Sequence, residues 1–338
     1  MPVTIKDIAL RANVSPSTVS RALRDHPHIS AETKEQIKKL ALEMGYVPSE
    51  VARSLVGQQS ATIGVAIADF QDPFYSSLLS GIEDVAVENH TDLFVGSFYR
   101  DLHRERKLFD AFDEKRLAGI IVAGSLVDEA YLARPLKSIP AVLINCPIYP
   151  FSVSVDQVAG ACLAMEHLLS LGHQKVAYVS LGAETNSNNQ RLAGYQKVLM
   201  EHRIPIDDAL IVDGDGTASG GILAVQQLLS LAQYPTAIFC YNDMTAIGVM
   251  KALNQHGLSI PHDVSVIGFD GLEIGSYSRP PLTTIEQPIY DLGHQAATML
   301  FRLIEDGEQA VTAETLEPAL IVRGSTAPLK GGGAIGQP

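Results

Sequence analysis

From residue 61 onward, short apolar runs alternate with longer segments of helical periodicity, and this alternation constrains the fold of the 338-residue chain most. The apolar runs read IGVAIAD, DLFVGSF, AGIIVAGS, AVLINC, KVAYVSL, ALIVDG, AIFCYND and VSVIGFD. Stretches between them, such as FYSSLLSGIEDVAVEN and QVAGACLAMEHLLSLG, have the length of helices. Strand and helix in alternation predict doubly wound parallel sheets. The runs are too many for one compact sheet and the rhythm restarts near Lys175, so two lobes are expected.

The first part of the chain has a different pattern, with short helices and no strands. Thr4, with Asp7 three residues later, is typical of a helix start, and apolar residues follow at helical spacing. Ser15 suits the cap and Pro16 the first position of a second helix, which is expected over residues 16–23.

A third helix is expected to begin after Ser30 and to end at Gly45. Helix, tight turn, short polar helix and supporting helix together predict a helix-turn-helix DNA-binding domain. The second helix would then present its N-terminal residues to the major groove, with Arg21 able to make a bidentate contact to guanine. The alternative is a capped surface helix in an ordinary helical domain.

The charge distribution supports a DNA-binding head on an acidic body. The formal net charge of −13 by itself argues against nucleic acid. Residues 1–60, however, contain eight Lys or Arg against six Asp or Glu, so the excess acid lies in the rest of the chain. The chain has no apolar run of membrane-spanning length, no apolar signal-peptide core and no metal-ligand spacing among its three cysteines. We therefore expect a cytoplasmic protein without membrane contact, metal or cofactor.

Two segments of the head, TIKDIALRANVSPSTVSRAL and GYVPSEVARSL, carry a family resemblance. Over nearly its whole length the chain resembles the lactose-repressor (LacI-type) family of bacterial transcription regulators. The resemblance implies a hinge helix that folds when two copies meet in the minor groove of a pseudo-palindromic operator. Ser49 would cap this helix, Ala52 would face its partner, and Leu55 would wedge into the central base step. The expected DNA-binding residues are Thr4, Ser15, Pro16, Ser17, Thr18, Ser20, Arg21, Ser30, Tyr46, Ser49, Ala52, Arg53 and Leu55.

The same resemblance implies the organisation of the whole α/β chain: an all-α helix-turn-helix head with a hinge helix, then a two-lobed periplasmic-binding-protein-like core of parallel doubly wound sheets. The expected domains are 1–48 for DNA binding, 49–60 for the hinge helix and linker, 61–328 for effector binding and dimerisation, and 329–338 for a flexible tail. Crossovers near residues 158, 288 and 320 would divide the core into lobe 1 (about 61–158 and 289–320) and lobe 2 (about 159–288 and 321–328).

Polar residues follow several predicted strands, where two facing lobes would enclose a cleft. A carboxylate, an amide and a guanidinium that converge there can make paired hydrogen bonds to a polyhydroxylated ligand. By resemblance, Arg191, Asn242 and Asp270 match positions that bind effector hydroxyls. The expected effector-binding residues are Asp69, Asp72, Phe74, Asn145, Arg191, Asn242, Asp270 and Gln287. Asp156 and Asp243 are instead expected to cap helices.

The stretch ALIVDGDGTASGG supports a rival class of protein. Gly214, Gly216 and Gly220 follow a strand and precede a helix, but their spacing departs from the dinucleotide fingerprint G-x-G-x-x-G. A cytoplasmic α/β solute-binding protein or nucleotide-dependent enzyme is therefore the alternative, although neither would need the head. In the resembled family the position of Gly216 often carries an aromatic side chain that stacks on a ligand ring, so glycine favours a sugar-like effector.

The tail, LKGGGAIGQP, has no heptad spacing, so a homodimer is expected rather than a tetramer. Its interface should come from lobe helices such as FYSSLLSGIEDV and DLGHQAATMLFRLIE. The sequence thus predicts a transcriptional repressor, not an enzyme, whose operator affinity is controlled by a small sugar or sugar derivative bound between two lobes.

Overall fold

The structure is a computed structural model that describes residues 3–23, 25–46, 62–125, 139–182 and 185–329. Its contacts divide the chain into two compact units, residues 1–60 and 61–338. The hinge helix expected in residues 49–60, and the expected tail beyond Leu329, lie outside the described residues. No helix in these described ranges is long and apolar enough to cross a membrane.

Within the described residues the smaller unit consists of helices α1 (Ile5–Ala12), α2 (Pro16–Leu23) and α3 (Ala31–Glu43), which confirms the all-α head. Asp7 Oδ2 accepts hydrogen bonds from the backbone N–H and the hydroxyl of Thr4, at 2.8 and 2.6 Å, and so stabilises the start of α1. Asn13 ends α1 in the left-handed conformation, with φ 53°, and turns the chain toward α2. The core of the head consists of Ile8, Ala9, Val19, Ala22, Ile37 and Ala41.

The described residues of the larger unit form two six-stranded sheets, and the strand–helix alternation predicts two such lobes. Its strands are β1 (Thr62–Ile67), β2 (Asp92–Ser97), β3 (Ile120–Ala123), β4 (Ala141–Ile144), β5 (Ser152–Val155), β6 (Val176–Ser180), β7 (Ile211–Asp213), β8 (Ala237–Cys240), β9 (Ser265–Asp270), β10 (Thr283–Glu286), β11 (Glu314–Leu316) and β12 (Ala319–Ile321). The first sheet has the order β11-β5-β4-β3-β1-β2 and is parallel throughout. The second has the order β12-β10-β9-β8-β6-β7, in which only β12 is antiparallel to its neighbour.

Helices cover both faces of these sheets. They are α4 (Pro73–Glu88), α5 (Leu102–Glu114), α6 (Gln157–Ser170), α7 (Asn186–Glu201), α8 (Ala218–Leu229), α9 (Asp243–Gln255), α10 (Glu273–Ser276) and α11 (Ile289–Asp306), with 3-10 turns at Asp208–Leu210 and Glu308–Ala310. Alternate side chains of β6 point to opposite faces, because successive residues of a strand do so. Val176 and Tyr178 contact the core beneath α6 and α7, whereas Ala177 and Val179 contact the core beneath α8 and α9.

Four short strands, β5, β10, β11 and β12, are not among the strands predicted from apolar runs. Their sequences, such as SVSV and TTIE, contain serine, threonine and glutamate in place of a continuous apolar run. β5 and most of β10 are buried by the sheets and helices around them, whereas β11 and β12 are largely exposed or half-buried. A pattern that relies on continuous apolar runs finds neither kind of strand.

Helices α4 and α11 cross at two glycines. A Cβ added to Gly81 would lie 2.2 Å from the carbonyl oxygen of Tyr290, and one added to Gly293 would lie 2.1 Å from that of Leu78. The two backbones therefore meet directly within one chain. These helices contain the segments expected to supply a dimer interface. Their buried apolar faces pack against each other and the first sheet within this chain.

The described chain passes between the sheets at three places. These are Asp156 between β5 and α6, residues 287–288 between β10 and α11, and residues 317–318 between β11 and β12. Because α6 packs on the second sheet and α11 on the first, the carboxyl ends of strands from both sheets face a shared cavity.

Candidate functional site

A cavity of about 50 Å³ lies between the strand ends of the two sheets. Six of the eight residues expected to bind an effector line it, namely Asp72, Phe74, Asn145, Arg191, Asn242 and Asp270. Asp69 and Gln287 are not among its lining residues. Its walls also include Arg100, Tyr241 and Thr185, which the sequence pattern does not single out. In the described part of the chain, no group of three or more His, Cys, Asp or Glu is arranged to hold a metal ion.

Arg191 on α7 is held in the cavity wall by several contacts, and only 3% of it is exposed. Its Nε donates a 2.8 Å hydrogen bond to Gln157 Oε1, and its Nη1 donates to the carbonyl oxygen of Tyr241. Its guanidinium carbon lies 3.7 Å from the ring centroid of Phe269, a cation–π contact. These contacts hold the planar guanidinium in one orientation.

Asp270 ends β9 and lies opposite Arg191, with its Oδ1 3.6 Å from Arg191 Nη2. Burial raises the pKa of Asp270 well above its usual range, although the positive charge of Arg191 opposes this shift. Gln287 Nε2 donates a 2.6 Å hydrogen bond to Asp270 Oδ1. Gln287, predicted as an effector contact, is thus seen to orient Asp270 from outside the cavity lining.

Gln157, at the start of α6, connects these groups and was missed by the sequence reasoning. Its amide nitrogen donates to Gln287 Oε1 at 3.0 Å and to Asn145 Oδ1 at 3.3 Å, while its oxygen accepts from Arg191. Gln157 and Gln287 lie at two of the passages between the sheets, so one buried hydrogen-bond network joins both passages to the cavity. Its only sequence signal is a position directly after Asp156, between a strand and a helix.

Two predicted asparagines line the cavity while also stabilising the backbone around it. Asn145 is left-handed, with φ 57°, and its Oδ1 accepts a 2.9 Å hydrogen bond from Val155 N. Asn242 caps α9, because its Oδ1 accepts from Thr245 N at 2.9 Å, and its Nδ2 donates to Gly216 O at 3.0 Å.

The prediction that Asp243 caps a helix is wrong, because Asn242 occupies the cap. Asp243 is fully buried, and its two oxygens accept from Leu272 N at 2.7 Å and from the hydroxyl of Thr284 at 2.5 Å. Burial raises the pKa of Asp243 to about 7. Asp156 does cap α6, since its Oδ1 accepts from Ala159 N at 2.8 Å.

On the side of the first sheet, Asp72 caps α4 by accepting from Phe74 N at 3.1 Å. Its other oxygen, Oδ2, lies 3.7 Å from Arg100 Nη2. Burial raises the pKa of Asp72, and the charge of Arg100 partly offsets the rise. Asp69 accepts from Gln71 N at 2.9 Å in the turn before α4 and lies outside the cavity lining.

In the head, helix α2 presents a polar surface. Ser15, Pro16, Ser17 and Arg21 are exposed, whereas Thr18 and Ser20 are half-buried. Ser15 Oγ accepts from Thr18 N at 3.1 Å, so this hydroxyl caps α2. Exposed hydroxyls at a helix start and an exposed arginine, as at the N-terminal turn of α2 and at Arg21, are groups of the kind that contact phosphates and base edges in DNA-binding proteins.

The remaining residues predicted for DNA binding have structural contacts or are not described. Thr4 is bonded to Asp7, Ser30 caps α3 through Thr33 N at 3.3 Å, and Tyr46 packs on the core of the head. Ser49, Ala52, Arg53 and Leu55 lie outside the described residues.

Comparison with known proteins matches two parts of the chain to family models. Residues 4–49 match the lacI family of bacterial regulatory proteins, and residues 165–326 match a periplasmic binding protein-like domain. The transcriptional repressor CytR of Escherichia coli strain K12 is 33% identical over 327 residues, which are 96% of each chain. The transcriptional regulator GalR of Salmonella typhimurium strain LT2 is 34% identical over 326 residues, or 95% of each chain.

Solved structures give the same relationship. A lac repressor dimer bound to operator and the anti-inducer ONPF is 32% identical, with a TM-score of 0.85 over 97% of this chain and 100% of that one. A LacI family regulator from Enterococcus faecium with bound ribose is 32% identical, with a TM-score of 0.72 over 80% of this chain and 100% of that one.

A helix-turn-helix head followed by two largely parallel sheets around a polar cavity defines a DNA-binding transcription regulator with an effector-binding core. The chain belongs to the lacI family of bacterial regulatory proteins, since the relationship extends over nearly its full length. The family resemblance in the sequence is thereby confirmed. The relatives named here are transcriptional regulators rather than enzymes.

Proposed function

We propose that the protein is a cytoplasmic, homodimeric repressor that binds a pseudo-palindromic operator and responds to a sugar or sugar derivative. The observation that carries the proposal is the convergence of Arg191, Asp270 and Asn145 from separate elements in one buried cavity. Guanidinium, carboxylate and amide groups together donate to and accept from hydroxyl groups, which a sugar carries on neighbouring carbons.

The relatives support the ligand class. One regulator of the same family contains bound ribose, and the lac repressor structure contains ONPF with operator. In this chain the corresponding ligand would contact Arg191 and Asp270 on one side and Asp72 on the other. Gln287 would act by orienting Asp270, and Asp69 by shaping the turn before α4.

The DNA-binding part of the proposal assigns residues 1–48 to operator reading and 49–60 to a hinge that folds on DNA. Arg21 and the exposed hydroxyls of α2 would contact the major groove, and Leu55 would open the central step. The core, residues 61–328, would bind the effector and dimerise, and residues 329–338 would form a flexible tail. The apolar faces of α4 and α11 are buried within the chain, so the dimer contact would use their remaining surfaces or other helices.

Effector and operator would communicate through the two lobes. A ligand can change DNA affinity only if it binds two lobe arrangements with different affinity, and DNA must then change ligand affinity by the same factor. The Gln157–Gln287 hydrogen bond joins two of the passages between the sheets. A rearrangement of the lobes would change the geometry of this bond.

The test begins with the full-length protein and duplexes selected from a random pool. The expected product is a pseudo-palindromic site bound by a dimer. A panel containing ribose, cellobiose and ONPG is then screened by thermal shift, because a ligand specific for the folded state raises apparent stability. A sugar that raises the melting temperature is expected to change operator affinity. Selection of no sequence would contradict the DNA-binding proposal, and a panel without any stabilising sugar would contradict the ligand class.

A further inference from the structure

Arg100 connects the two sheets across the candidate cavity. It follows β2 of the first sheet, and its Nη1 donates a 2.9 Å hydrogen bond to the carbonyl oxygen of Asp215. Asp215 lies between β7 and α8, in the half of the core built on the second sheet. The side chain of Arg100 is 21% exposed and lines the cavity, so a residue of the candidate effector site makes this bond between the two halves of the core.

Both turns joined by this bond have unusual backbone conformations. Tyr99 and Arg100 are consecutive left-handed residues, with φ 50° and 54°. On the other side, Asp215 and Gly216 are also left-handed, with φ 49° and 75°. Left-handed residues other than glycine cost free energy and concentrate at functional sites. Three such residues, Tyr99, Arg100 and Asp215, lie on two loops that meet only through the tertiary fold, which points to a contact that matters for function.

Gly216 leaves the space that the guanidinium occupies. A Cβ at this position would lie 3.1 Å from Arg100 Nη2 and 2.6 Å from Leu181 Cδ1. A side chain at this position would therefore clash with Leu181 and would crowd the guanidinium of Arg100. The guanidinium of Arg100 can therefore lie close to the backbone at residue 216 because glycine has no side chain.

Arg100 also repeats, on the opposite wall, the geometry of Arg191 and Asp270. Its Nη2 lies 3.7 Å from Asp72 Oδ2, and Arg191 Nη2 lies 3.6 Å from Asp270 Oδ1. Both separations exceed the usual hydrogen-bond distance of about 3.2 Å. A hydroxyl group both donates and accepts, so it can accept from the arginine and donate to the aspartate of either pair.

We propose that Arg100 and Asp72 form a second hydroxyl-binding subsite, and that Arg100 simultaneously holds the two lobes together through Asp215. This inference rests on the proposed function, because it assumes a hydroxylated effector in the cavity. It makes one residue responsible for both ligand contact and lobe closure. A ligand that engages Arg100 therefore changes the contact between the lobes directly.

The first measurement needs no ligand and uses amide hydrogen exchange on the full-length protein. In Arg100→Ala, the amides of residues 215–217 are expected to exchange about tenfold faster, because a charged hydrogen bond that restrains the turn is lost. Arg104→Ala is the matched control, since Arg104 is an exposed cation near the same turn whose guanidinium lies 5.3 Å from the Tyr99 ring centroid. If exchange at residues 215–217 were unchanged in Arg100→Ala, the proposal that Arg100 holds the two lobes together would be wrong.

The second measurement is calorimetric titration with ribose, cellobiose and ONPG. For each sugar that binds the wild-type protein, Arg100→Ala is expected to lose at least about tenfold in affinity, while Arg104→Ala is unchanged. Asp72→Asn separates the two roles. Its oxygen can keep the cap on Phe74 N, but the amide nitrogen replaces the acceptor that faces Arg100. This variant is expected to bind sugar more weakly and to show wild-type exchange at residues 215–217.

Equal sugar affinity in wild type and Arg100→Ala would overturn the subsite. If none of the three sugars binds the wild-type protein, the ligand class of the proposed function fails and the subsite fails with it. The exchange experiment then still decides whether Arg100 holds the lobes together.

Discussion

Arg191 Nη2 lies 3.6 Å from Asp270 Oδ1, and the two side chains are only 3% and 5% exposed. One comes from the helix after β6 and the other from the end of β9, so the pair links separate parts of the second sheet. If one member of a buried ion pair is removed, the other is left as a buried charge without a partner, and this lowers the free energy of unfolding.

Removing one member of this pair should therefore destabilise the core. In Arg191→Ala we expect the free energy of unfolding to fall by about 3 kcal/mol, because Asp270 and Gln157 lose their partner. Urea denaturation measures the change. Arg203→Ala removes an exposed arginine just beyond the end of the same helix and should change stability by less than about 0.5 kcal/mol. Equal effects of the two substitutions would contradict the importance of the buried pair.

Asp243 should not tolerate even an isosteric amide. In Asp243→Asn, one oxygen can still accept from Thr284 or Leu272, but the amide nitrogen then faces the other donor. We expect a loss of about 1–3 kcal/mol in denaturant unfolding at pH 7. Asp156→Asn is the control, because asparagine is also a good cap and should keep the bond from Ala159 N. A variant of Asp243 as stable as the control would count against this account.

His173 is buried in its neutral form and should contribute a loss of stability in mild acid. Its Nε2 donates to Ala327 O at 3.0 Å, and its Nδ1 lies 3.1 Å from the hydroxyl of Thr236. Burial lowers the pKa of His173 below the ordinary value of 6.5. The unfolded chain therefore binds a proton first, and this contribution to stability is lost as the pH falls below about 6.5.

The measurement is the pH dependence of urea unfolding between pH 7.5 and 5.5 in wild type and His173→Asn. The variant should be less stable at pH 7.5 and should lose less stability on acidification. Burial raises the pKa of Asp243 to about 7, so protonation of Asp243 stabilises the folded protein as the pH falls. Asp243 is present in both proteins, so the difference between their slopes reports on His173. His262→Asn, at an exposed position, should follow the wild-type slope. Parallel slopes for all three proteins would rule out His173 as the cause.

The crossing of α4 and α11 should be sensitive to a single methyl group. In Gly293→Ala the new Cβ would lie 2.1 Å from Leu78 O, so the helices must separate. We expect a loss of about 1–3 kcal/mol, typical of overpacking, in denaturant unfolding. Gly275→Ala is the control, since its nearest contact of 3.4 Å is an ordinary van der Waals distance. The interpretation would be wrong if Gly293→Ala were as stable as Gly275→Ala.

In the head, Arg21 should determine base preference. We expect Arg21→Ala to weaken binding to the selected operator by about 1–3 kcal/mol and to relax preference at one base pair in each half-site. Fluorescence anisotropy on single-base variants of the operator measures both effects. Arg11→Ala removes an exposed charge from the last turn of α1 and should weaken all sequences alike. If Arg21→Ala did the same, Arg21 would be a phosphate contact only.

The sequence by itself determined the elements of this protein and their class. Apolar runs long enough to cross a sheet predicted β1, β6 and β9, and cap residues such as Ser15 and Asp156 marked where helices begin. These signals are local, because they depend on side chains within a few residues of one another. Strand-end position and family resemblance also found most of the cavity lining, including Arg191 and Asp270.

Only the tertiary structure decided what each polar group does. Asn242 and Asp243 are adjacent in sequence, yet the first caps α9 and lines the cavity while the second is buried between Leu272 and Thr284. Arg100 and Asp215 lie 115 residues apart and meet because the two sheets face each other across the cavity. Such contacts depend on sheet order and on backbone conformations, such as the left-handed turn at Arg100, that are stable only when the surrounding fold holds them.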